Sequence, residues 1–388
     1  MRVVVAPDKF KGCLTAAGVA QALADGLCSG PAEMSVTLLP VADGGDGTVA
    51  AALAAGYREV RVEVAGPTGA PVAAPYAISG ERAVVELAAA CGLDLLPQSR
   101  PDPMGASTYG LGQVIADAIG RGVTDVVVGI GGSASTDGGA GLVQALGGRV
   151  LDASGAEIDR GGGALGSAAT VELTDLRSRL AGVRFAVACD VDNPLLGPRG
   201  ATAVFAPQKG AGAADRETLE RGLTRWAELV ARATGTDHAA DPGAGAAGGT
   251  GFAALAVLGA SLAPGIDLVL ELLDFAGAVH GADLVITGEG SLDEQSLAGK
   301  APVGVARAAA AAGVRTVAVA GRSLLRPESY AAAGFSAVYP LSDLEPDVAR
   351  SMADAVPLLQ SIGRRIAAEW AGRSAGPGND SKEHAADG

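Results

Sequence analysis

The chain is poor in aromatic residues, histidine and cysteine for its 388 residues. Aromatic side chains make up 3% of it, so Ala, Val and Leu must fill its core. The three histidines, His238, His280 and His384, stand outside the glycine-rich stretches, which argues against a histidine-based triad or zinc site. The four cysteines have no C-x-x-C spacing, so a disulfide framework is not expected, and a reducing, cytoplasmic location fits.

Long apolar runs are also missing. The longest uncharged stretch, Pro242 to Ile266, is interrupted by many glycines and by Pro264, which argues against a membrane span. The N-terminal MRVVVAPDKFKG has too short an apolar run for a signal peptide. The sequence therefore predicts a protein without a membrane partner.

Positive charge is scarce as well. The formal net charge is -14 and the isoelectric point is about 4.7. Because an acidic surface repels nucleic acid and anionic membranes, neither partner is expected; a homo-oligomer stays open. Anionic substrates are repelled too, so a phosphate ligand would need lysines, helix N-termini or Mg²⁺ beside it.

What the chain does have is an alternation of strands and helices. Strands at Val3–Ala6 and Val36–Leu39, each followed by a helical pattern, predict a parallel sheet, and the last third returns to this alternation. In between, short strands around 60–64, 72–78 and 83–87 suggest antiparallel pairing. The pattern of the chain therefore changes after about residue 60.

These patterns predict an α/β fold of two domains. Residues 1–65 and 282–371 are expected to form a doubly wound, Rossmann/flavodoxin-like domain, into which 66–281 is inserted as a second α/β domain. The small, polar tail, 372–388, is expected to be disordered.

The most informative stretch is TDVVVGIGGSASTDGGAGL, residues 124–142. A buried strand there runs into a loop with almost no side chains, which lets backbone N–H groups approach a phosphate closely. The alternative is a purely structural role, a tight strand-to-helix turn, but such a turn needs fewer glycines. Gly129-x-Gly131-x-x-Ala134 also resembles half of a dinucleotide fingerprint, although glycines stand where its helix should run.

Lysine placement points to anion binding. The chain has five lysines against 24 arginines, and four of the five lie in loops flanked by Gly or Pro: Lys9, Lys11, Lys209 and Lys300. Lysine is a compact point charge that suits a phosphate oxygen or a carboxylate. The alternative is that these are ordinary solvated lysines.

Carboxylates repeat this placement at strand ends and beside glycines: Asp8, Asp43, Asp46, Asp137, Asp190, Glu289 and Asp293. Such carboxylates can hold Mg²⁺, which keeps several waters and takes few protein ligands, or can accept a proton from a substrate hydroxyl. Each one taken alone could equally be a turn or cap residue. As a set they favour a phosphoryl-transfer site.

Three common motifs fail. The stretch from Asp43 to Ala54 is not an EF-hand loop, because alanine stands at the twelfth position instead of glutamate. The stretch from Glu294 to Lys300 lacks the first glycine of a P-loop. Ser133 is followed two positions on by serine, so the hydrolase G-x-S-x-G motif is absent.

Seven motifs, in order, resemble the type 1 glycerate kinases: APDKFKG, ADGGDGT, GIGGSASTDGG, CDVDNPLLGPRGA, FAPQKGA, GAAGGTG and TGEGSLDEQSLAGKAPVGVA. The resemblance covers about Met1 to about Trp370. Two small departures, Cys13 where serine is common and Thr136 where asparagine is common, remove no charged group.

The resemblance implies a two-domain α/β enzyme that phosphorylates D-glycerate with ATP and Mg²⁺, and members of this type usually form 2-phosphoglycerate. The residues agree with it, because phosphoryl transfer depends mainly on positioning and on neutralising charge. Glycine-rich loops, lysines and carboxylates are the parts that such a site needs.

Roles can then be assigned as hypotheses. The predicted nucleotide-binding residues are Gly131, Gly132, Ser133 and Asp137, and the predicted metal ligands are Asp43, Asp46 and Glu289. Asp190 or Asp293 would orient and deprotonate the glycerate hydroxyl, with Lys9 and Lys300 as further catalytic residues. The predicted substrate-binding residues are Asp8, Lys11, Asn193 and Lys209.

Three alternatives stay open. One is a glycerate kinase that forms 3-phosphoglycerate. Another is a nicotinamide-dependent oxidoreductase of a small hydroxy acid, which rests on the half fingerprint. The third is a non-catalytic anion-binding protein, which leaves the many carboxylates unexplained.

Overall fold

A computed structural model describes residues 1–30, 33–97, 100–297 and 299–371. The tail predicted to be disordered, 372–388, lies outside the described residues. The described chain forms these strands: β1 (Arg2–Pro7), β2 (Ser35–Leu38), β3 (Arg58–Ala65), β4 (Pro71–Ser79), β5 (Arg82–Glu86), β6 (Asp125–Gly129), β7 (Arg149–Leu151), β8 (Thr170–Glu172), β9 (Arg184–Ala188), β10 (Ser261–Ala263), β11 (Leu284–Leu292), β12 (Arg315–Ser323) and β13 (Phe335–Pro340).

The α-helices are α1 (Ala16–Cys28), α2 (Thr48–Ala54), α3 (Leu87–Cys91), α4 (Tyr109–Gly120), α5 (Ala140–Ala145), α6 (Thr174–Arg179), α7 (Ala201–Val204), α8 (Ala213–Thr234), α9 (Ala246–Ala256), α10 (Gly265–Leu272), α11 (Phe275–Val279), α12 (Glu294–Leu297), α13 (Ala301–Ala311), α14 (Pro327–Ala332), α15 (Val348–Ala353) and α16 (Ala355–Trp370). Short 3₁₀ turns cover Leu93–Leu95, Gly162–Ser167, Pro207–Lys209 and Leu341–Asp343. Within the described ranges, no helix has the length and apolar character needed to cross a membrane.

The chain divides into two compact units. The first unit is Met1–Pro40 together with the chain from Asp274 onward, and the second unit is Val41–Leu273. The sequence places these boundaries at 65/66 and 281/282, and the structure differs at both. β3 accounts for the first difference, because it pairs along its whole length with β4 of the second unit. α11 accounts for the other, because it packs against α13 of the first unit.

The first unit contains a five-stranded, wholly parallel sheet. Its strand order is β13-β12-β11-β1-β2, which, counted within the unit, is the doubly wound order 2-1-3-4-5. Val3, Val5 and Ile286 of its central strands are fully buried. Strands buried on both faces read as continuous β-branched runs, as β1 does. The predicted Rossmann/flavodoxin-like fold class is confirmed.

The order of this sheet reverses between β1 and β11, which are hydrogen-bonded neighbours. In doubly wound sheets, ligands bind outside the carboxyl ends of the strands at such a switch point. The segment after β1 begins at Asp8, and the outer end of β11 contains Glu289. The topology therefore places two of the predicted carboxylates where this rule expects a ligand.

The second unit contains a six-stranded mixed sheet in the order β10-β9-β6-β5-β4-β3. β3, β4 and β5 pair antiparallel, as the sequence predicts, whereas β5, β6, β9 and β10 run parallel. The parallel strands therefore all end at one edge, which we call the carboxyl edge of the second unit. The residues between Leu151 and Thr174, a weak signal in the sequence, include a small β7–β8 hairpin-like pair and a 3₁₀ turn.

Candidate functional site

The glycine-rich loop, residues 130–139, connects β6 to α5 at the carboxyl edge of the second unit. Gly131 and Gly132 at its front are exposed, and Gly132 has a φ of +71°, which favours glycine. Ser133 behind them is only 8% exposed. The loop thus presents bare backbone to solvent and keeps its side chains inside. This arrangement suits close contact with an anion.

Asp137 is buried and braces the loop from within. Its carboxylate accepts hydrogen bonds from the Thr108 backbone N–H at 2.8 Å and from the Thr108 hydroxyl at 2.9 Å. The Ser107 hydroxyl and the backbone N–H groups of Gly139 and Gly141 also donate to it. The residue is 0% exposed. A role for Asp137 in nucleotide binding stays a prediction. In this structure its oxygen atoms accept hydrogen bonds that fix the loop backbone.

Lys209 is buried as well. Its ammonium group donates to the Ser133 hydroxyl at 2.8 Å and to the Ser135 carbonyl at 2.5 Å, and the residue is only 2% exposed. Desolvation lowers its pKa to about 7, and the nearby Asp137 opposes that shift. The role of Lys209 in substrate binding stays a prediction. In this structure its ammonium group is enclosed and donates to the glycine-rich loop.

The acidic loop, Asp43–Gly47, precedes α2 and lies against the strand ends of the same edge. A Cβ on Gly44 would overlap the Cα of Gly265 and would lie 2.6 Å from the Cβ of Ala188, so only glycine fits there. A Cβ on Gly129 would lie 2.6 Å from the Gly44 carbonyl oxygen. The acidic loop therefore packs directly on the ends of β6 and β9.

Glu86, the last residue of β5, anchors the acidic loop. Its carboxylate accepts hydrogen bonds from the backbone N–H groups of Gly47 at 3.0 Å and Val49 at 2.7 Å. These N–H groups belong to the start of α2, where a helix leaves its first donors without partners. The sequence analysis missed Glu86, although its signal, a carboxylate at the end of an apolar strand, is the one used for the other acids.

Asp190 follows β9 and accepts a hydrogen bond from the backbone N–H of Gly265, the first residue of α10, at 2.9 Å. Its carboxyl group is accessible, but the surrounding protein removes part of its hydration, which raises its pKa above the usual value. The Gly265 N–H opposes this shift, whereas the negative charges of Asp43 and Asp267 add to it. The carboxyl edge therefore concentrates negative charge near Asp190.

Asn193, predicted to bind substrate, is used within its own loop. Its side-chain amide donates to the backbone carbonyl of Arg199 at 2.7 Å, and its backbone carbonyl accepts from the Gly245 N–H at 2.8 Å. Arg199 in turn donates to both carboxylate oxygens of Asp192. Asn193 closes the loop after β9 that carries Asp190.

In the first unit, Asp8, Lys9 and Lys11 lie in the segment after β1. Asp8 is 8% exposed, and its carboxylate accepts from the Lys9 backbone N–H at 2.6 Å. The Asp8 backbone N–H donates to the carbonyl oxygen of Gly288 in β11 at 2.8 Å. Lys11 itself is exposed. The segment is thus held at the switch point between β1 and β11.

The end of β11 brings three more predicted residues to the first unit's sheet edge. Glu289 lies in β11, and Asp293 follows it. The Asp293 carboxylate accepts from the Ser296 backbone N–H at 3.3 Å, so it caps the short helix α12. Lys300 is the N-cap residue of α13 and places a cation at the positive end of that helix, where an anion would be favoured.

Each unit therefore contains its own group of predicted site residues. Those in the second unit that remain accessible are Asp43, Asp46, Gly131, Gly132, Asp190 and Asn193, and those in the first unit are Lys9, Lys11, Glu289, Asp293 and Lys300. No three His, Cys, Asp or Glu residues of the described chain are arranged to hold a metal ion. The predicted metal ligands are divided between the units: Asp43 and Asp46 lie in the second and Glu289 in the first.

A cavity of about 530 Å³ lies in the second unit, lined in part by Tyr109, Glu157, Asp159 and Arg160. The Arg160 guanidinium lies 3.4 Å above the centre of the Tyr109 ring. The residues that line this cavity include none of the predicted site residues.

The half fingerprint does not have the structure that a dinucleotide site needs. In that motif a helix begins directly after the first glycines and its N-terminus binds the pyrophosphate. Here α5 begins only at Ala140, and Gly138 and Gly139, which precede it, have φ values of +62° and +74°. The structure therefore gives no support to a nicotinamide-dependent oxidoreductase.

Comparisons with known proteins agree on one family. A family model described as the glycerate kinase family matches residues 3–371. The chain is 47% identical to the glycerate kinase of Bacillus subtilis (strain 168) over 324 residues, 83% of this chain and 85% of that protein. It is 42% identical to the glycerate kinase of Halalkalibacterium halodurans over 369 residues, 94% and 97% of the two chains.

The chain is also 45% identical over 312 residues to the glycerate 2-kinase of Escherichia coli (strain K12), covering 80% of this chain and 82% of that protein. Among solved structures, it is similar to a crystal structure from Salmonella typhimurium LT2 described as a candidate glycerate kinase 2. That likeness has a TM-score of 0.86 at 41% identity and covers 96% of this chain and 99% of the other.

Proposed function

Because this chain belongs to the glycerate kinase family, we propose that it transfers the γ-phosphoryl group of ATP to the C2 hydroxyl of D-glycerate. Family membership makes the chain an enzyme, a glycerate kinase that uses ATP. The finer choice, 2-phosphoglycerate as product, is supported by the name of the E. coli relative, a glycerate 2-kinase. The observation that carries the proposal is the exposed glycine-rich loop beside the accessible carboxylates of Asp43 and Asp190.

Nucleotide phosphates fit the front of the glycine-rich loop. Gly131 and Gly132 are exposed and have no side chains, so a phosphate can approach the backbone closely. This matters because the chain carries a net charge of -14, and its average field repels ATP. Backbone N–H groups supply local positive potential without adding a side chain.

Asp190 is the proposed residue that orients and deprotonates the glycerate hydroxyl. A general base works best when its pKa approaches the operating pH, and the pKa of Asp190 is raised by desolvation and by neighbouring carboxylates. Asp293, whose carboxylate caps α12, is the alternative candidate. Proton acceptance by Asp190 would raise the nucleophilicity of the substrate oxygen as it attacks.

The acidic residues of the second unit suit Mg²⁺. The charges of Asp43 and Asp267 raise the pKa of Asp190, and a divalent cation would relieve this repulsion. Mg²⁺ usually takes one or two carboxylates and completes its shell with waters and phosphate oxygens, so a three-carboxylate cage is not required. Asp43 and Asp46 would hold the ion, which when bound neutralises phosphate charge.

Lysines of the first unit are proposed to bind anions. Lys9 and Lys11 lie after β1 at the switch point, and Lys300 lies at the N-terminus of α13. Two like charges 4 Å apart repel by about 4 kcal/mol at a surface-like dielectric, so glycerate and ATP need such cations. The glycerate carboxylate and the transferred phosphoryl group are the expected partners.

The test is phosphorus NMR of a reaction containing the purified protein, ATP, Mg²⁺ and D-glycerate. A 2-phosphoglycerate resonance is the expected result. A 3-phosphoglycerate resonance would correct the position of transfer and keep the kinase. If ATP is bound but neither product forms, the proposed acceptor is wrong, and other small hydroxy acids become the candidates.

A further inference from the structure

Lys209 lies behind the glycine-rich loop, on the side away from solvent. It ends the 3₁₀ turn Pro207–Lys209, and its ammonium group donates to Ser133 and to the backbone carbonyl of Ser135. Ser133 is 8% exposed and Ser135 0%. Lys209 thus connects two points of the loop directly behind its exposed glycines.

A second element holds the same part of the loop. Three consecutive residues inside α9, Ala247 to Gly249, have left-handed backbone angles, and Ala247 does so despite its side chain, with a φ of 52°. We call them the left-handed turn. The Gly248 carbonyl accepts from the Gly138 N–H at 3.0 Å, and a Cβ on Gly248 would overlap the Ser135 carbonyl oxygen. The turn therefore packs on the loop backbone.

The loop conformation is imposed against a local cost. A non-glycine residue in the left-handed region costs of order 1–3 kcal/mol, and it persists only where the surrounding structure determines it. The hydroxyl groups of Ser135 and Thr136 are buried and have no hydrogen-bond partner among the described residues. An ammonium group at 2% exposure adds a desolvation cost. Such costs collect at segments whose shape matters for function.

We propose that Lys209 is a positioning residue: its buried ammonium group ties Ser133 to Ser135 against the left-handed turn and so presets Gly131 and Gly132 for the nucleotide phosphates. This rests on the proposed function of the loop. Lys209 contacts no ligand itself, because it is enclosed. A lysine suits this place better than an arginine, since its compact ammonium group needs less room than a planar guanidinium.

The test compares Lys209→Met with a matched core variant, Leu219→Ala. Leu219 packs beside Ala206 and Ala211, which flank the same 3₁₀ turn, so its truncation loosens the neighbourhood and leaves the ammonium contacts in place. Lys209→Met should raise KM for MgATP about tenfold or more, as expected from losing hydrogen bonds of a charged donor. KM for glycerate should stay within about twofold, and Leu219→Ala should change neither.

A second measurement does not depend on turnover. Hydrogen–deuterium exchange of residues 130–136 should be faster in Lys209→Met than in Leu219→Ala. Each variant is measured at the same number of degrees below its own Tm, so that differences in global stability do not enter. The double variant Lys209→Met/Ser133→Ala should be no worse for MgATP binding than Lys209→Met alone, because the two residues share one interaction. Calorimetry of MgATP binding gives this comparison.

The outcomes separate the two proposals. If the wild-type protein forms no phosphoglycerate, the proposed function fails, and exchange and MgATP binding still test the role of Lys209. If Lys209→Met and Leu219→Ala have equal effects on exchange and on KM for MgATP, Lys209 is only a stabilising residue and the inference is wrong. Unchanged exchange in Lys209→Met overturns it as well.

Discussion

At the scale of single residues, burial separates three charged groups that look alike in the sequence. Asp137 is buried, and its carboxylate oxygens accept several hydrogen bonds from the protein, so it stabilises the loop. Lys209 is enclosed and donates only to the loop. Asp190 stays accessible in a partly desolvated position that raises its pKa. Of the three, only Asp190 is exposed to solvent.

We expect Asp190→Asn to lower kcat by about 10²- to 10⁴-fold while MgATP binding is kept, because a general base contributes roughly that factor. Steady-state kinetics and calorimetry measure the two effects. Asp192→Asn is the control, since Asp192 lies in the same loop but is exposed and paired with Arg199. A near-normal kcat in Asp190→Asn would exclude it as the base.

The raised pKa of Asp190 predicts an acid limb in the pH profile. Activity needs the ionised carboxylate, so kcat/KM should fall as pH falls through a pKa above 3.8, the ordinary aspartate value. The free energy of unfolding should change with pH in the opposite direction. A raised folded-state pKa means that the protonated carboxyl favours the folded state, so the contribution of Asp190 to stability is present at low pH and is lost as pH rises. A limb at or below 3.8 in the rate profile would contradict the assignment.

Burial of Lys209 predicts a pH dependence of stability opposite in sign to that of Asp190. Its folded-state pKa is lowered to about 7 from the ordinary 10.5, so between these values the unfolded chain binds more protons. The free energy of unfolding of the wild type, relative to Lys209→Met, should therefore rise with pH from about 7 towards 10. Urea unfolding at pH 7, 8 and 9 measures this difference. A difference that does not change with pH would contradict the lowered pKa.

At the scale of elements, loops at strand ends form the candidate site, and their glycines allow close packing. The acidic loop rests on the ends of β6 and β9 because Gly44 and Gly129 carry no side chains. Glu86 then anchors the start of α2 from the neighbouring strand. The accessible carboxylates of the second unit are therefore placed by backbone contacts as much as by their own side chains.

Gly44→Ala and Gly56→Ala form a matched pair for this packing. Both positions have positive φ, +86° and +91°, but a Cβ at Gly44 would overlap its neighbours, whereas at Gly56 nothing lies within 4 Å. Gly56→Ala should lower the free energy of unfolding by about 1–2 kcal/mol, the cost of a left-handed backbone at a residue with a Cβ. Gly44→Ala should lower it by about 1–3 kcal/mol more, because the added Cβ overlaps its neighbours, and should also reduce activity. Urea unfolding and kinetics measure both. Equal losses would mean that the acidic loop is not tightly packed.

At the scale of the whole molecule, the second unit is one uninterrupted segment with its own sheet and core. Its core includes Val85, Val128, Leu142 and Trp226, all at most 2% exposed. Units with a complete core can fold alone. We therefore expect residues 41–273, produced as a separate chain, to unfold cooperatively on heating when followed by circular dichroism. A gradual, non-cooperative loss of signal would show that this unit depends on the first.

Much of the fold was predictable from patterns of burial. β1 and β6 are short valine runs next to turn residues, and β9 is a short apolar run. Thr15 caps α1 through the Gly18 N–H, as expected for a threonine in that position. α10 and α16 were not predicted, because α10 begins at the glycine of a Pro-Gly pair and α16 has a proline in its first turn. The unit boundary at residue 40 was also missed, since strand pairing and not composition assigns β3 to a sheet.

The sequence by itself determined the α/β class, the glycine-rich loop, the strand-end carboxylates and the family, because these depend on residue order and on local periodicity. Only the tertiary structure decided which charged residues are exposed to solvent. Burial of Lys209 and Asp137, the hydrogen bond from Gly265 to Asp190 and the anchoring by Glu86 join residues far apart in the chain. Solvation of a charge depends on everything around it, and a linear pattern carries no measure of that.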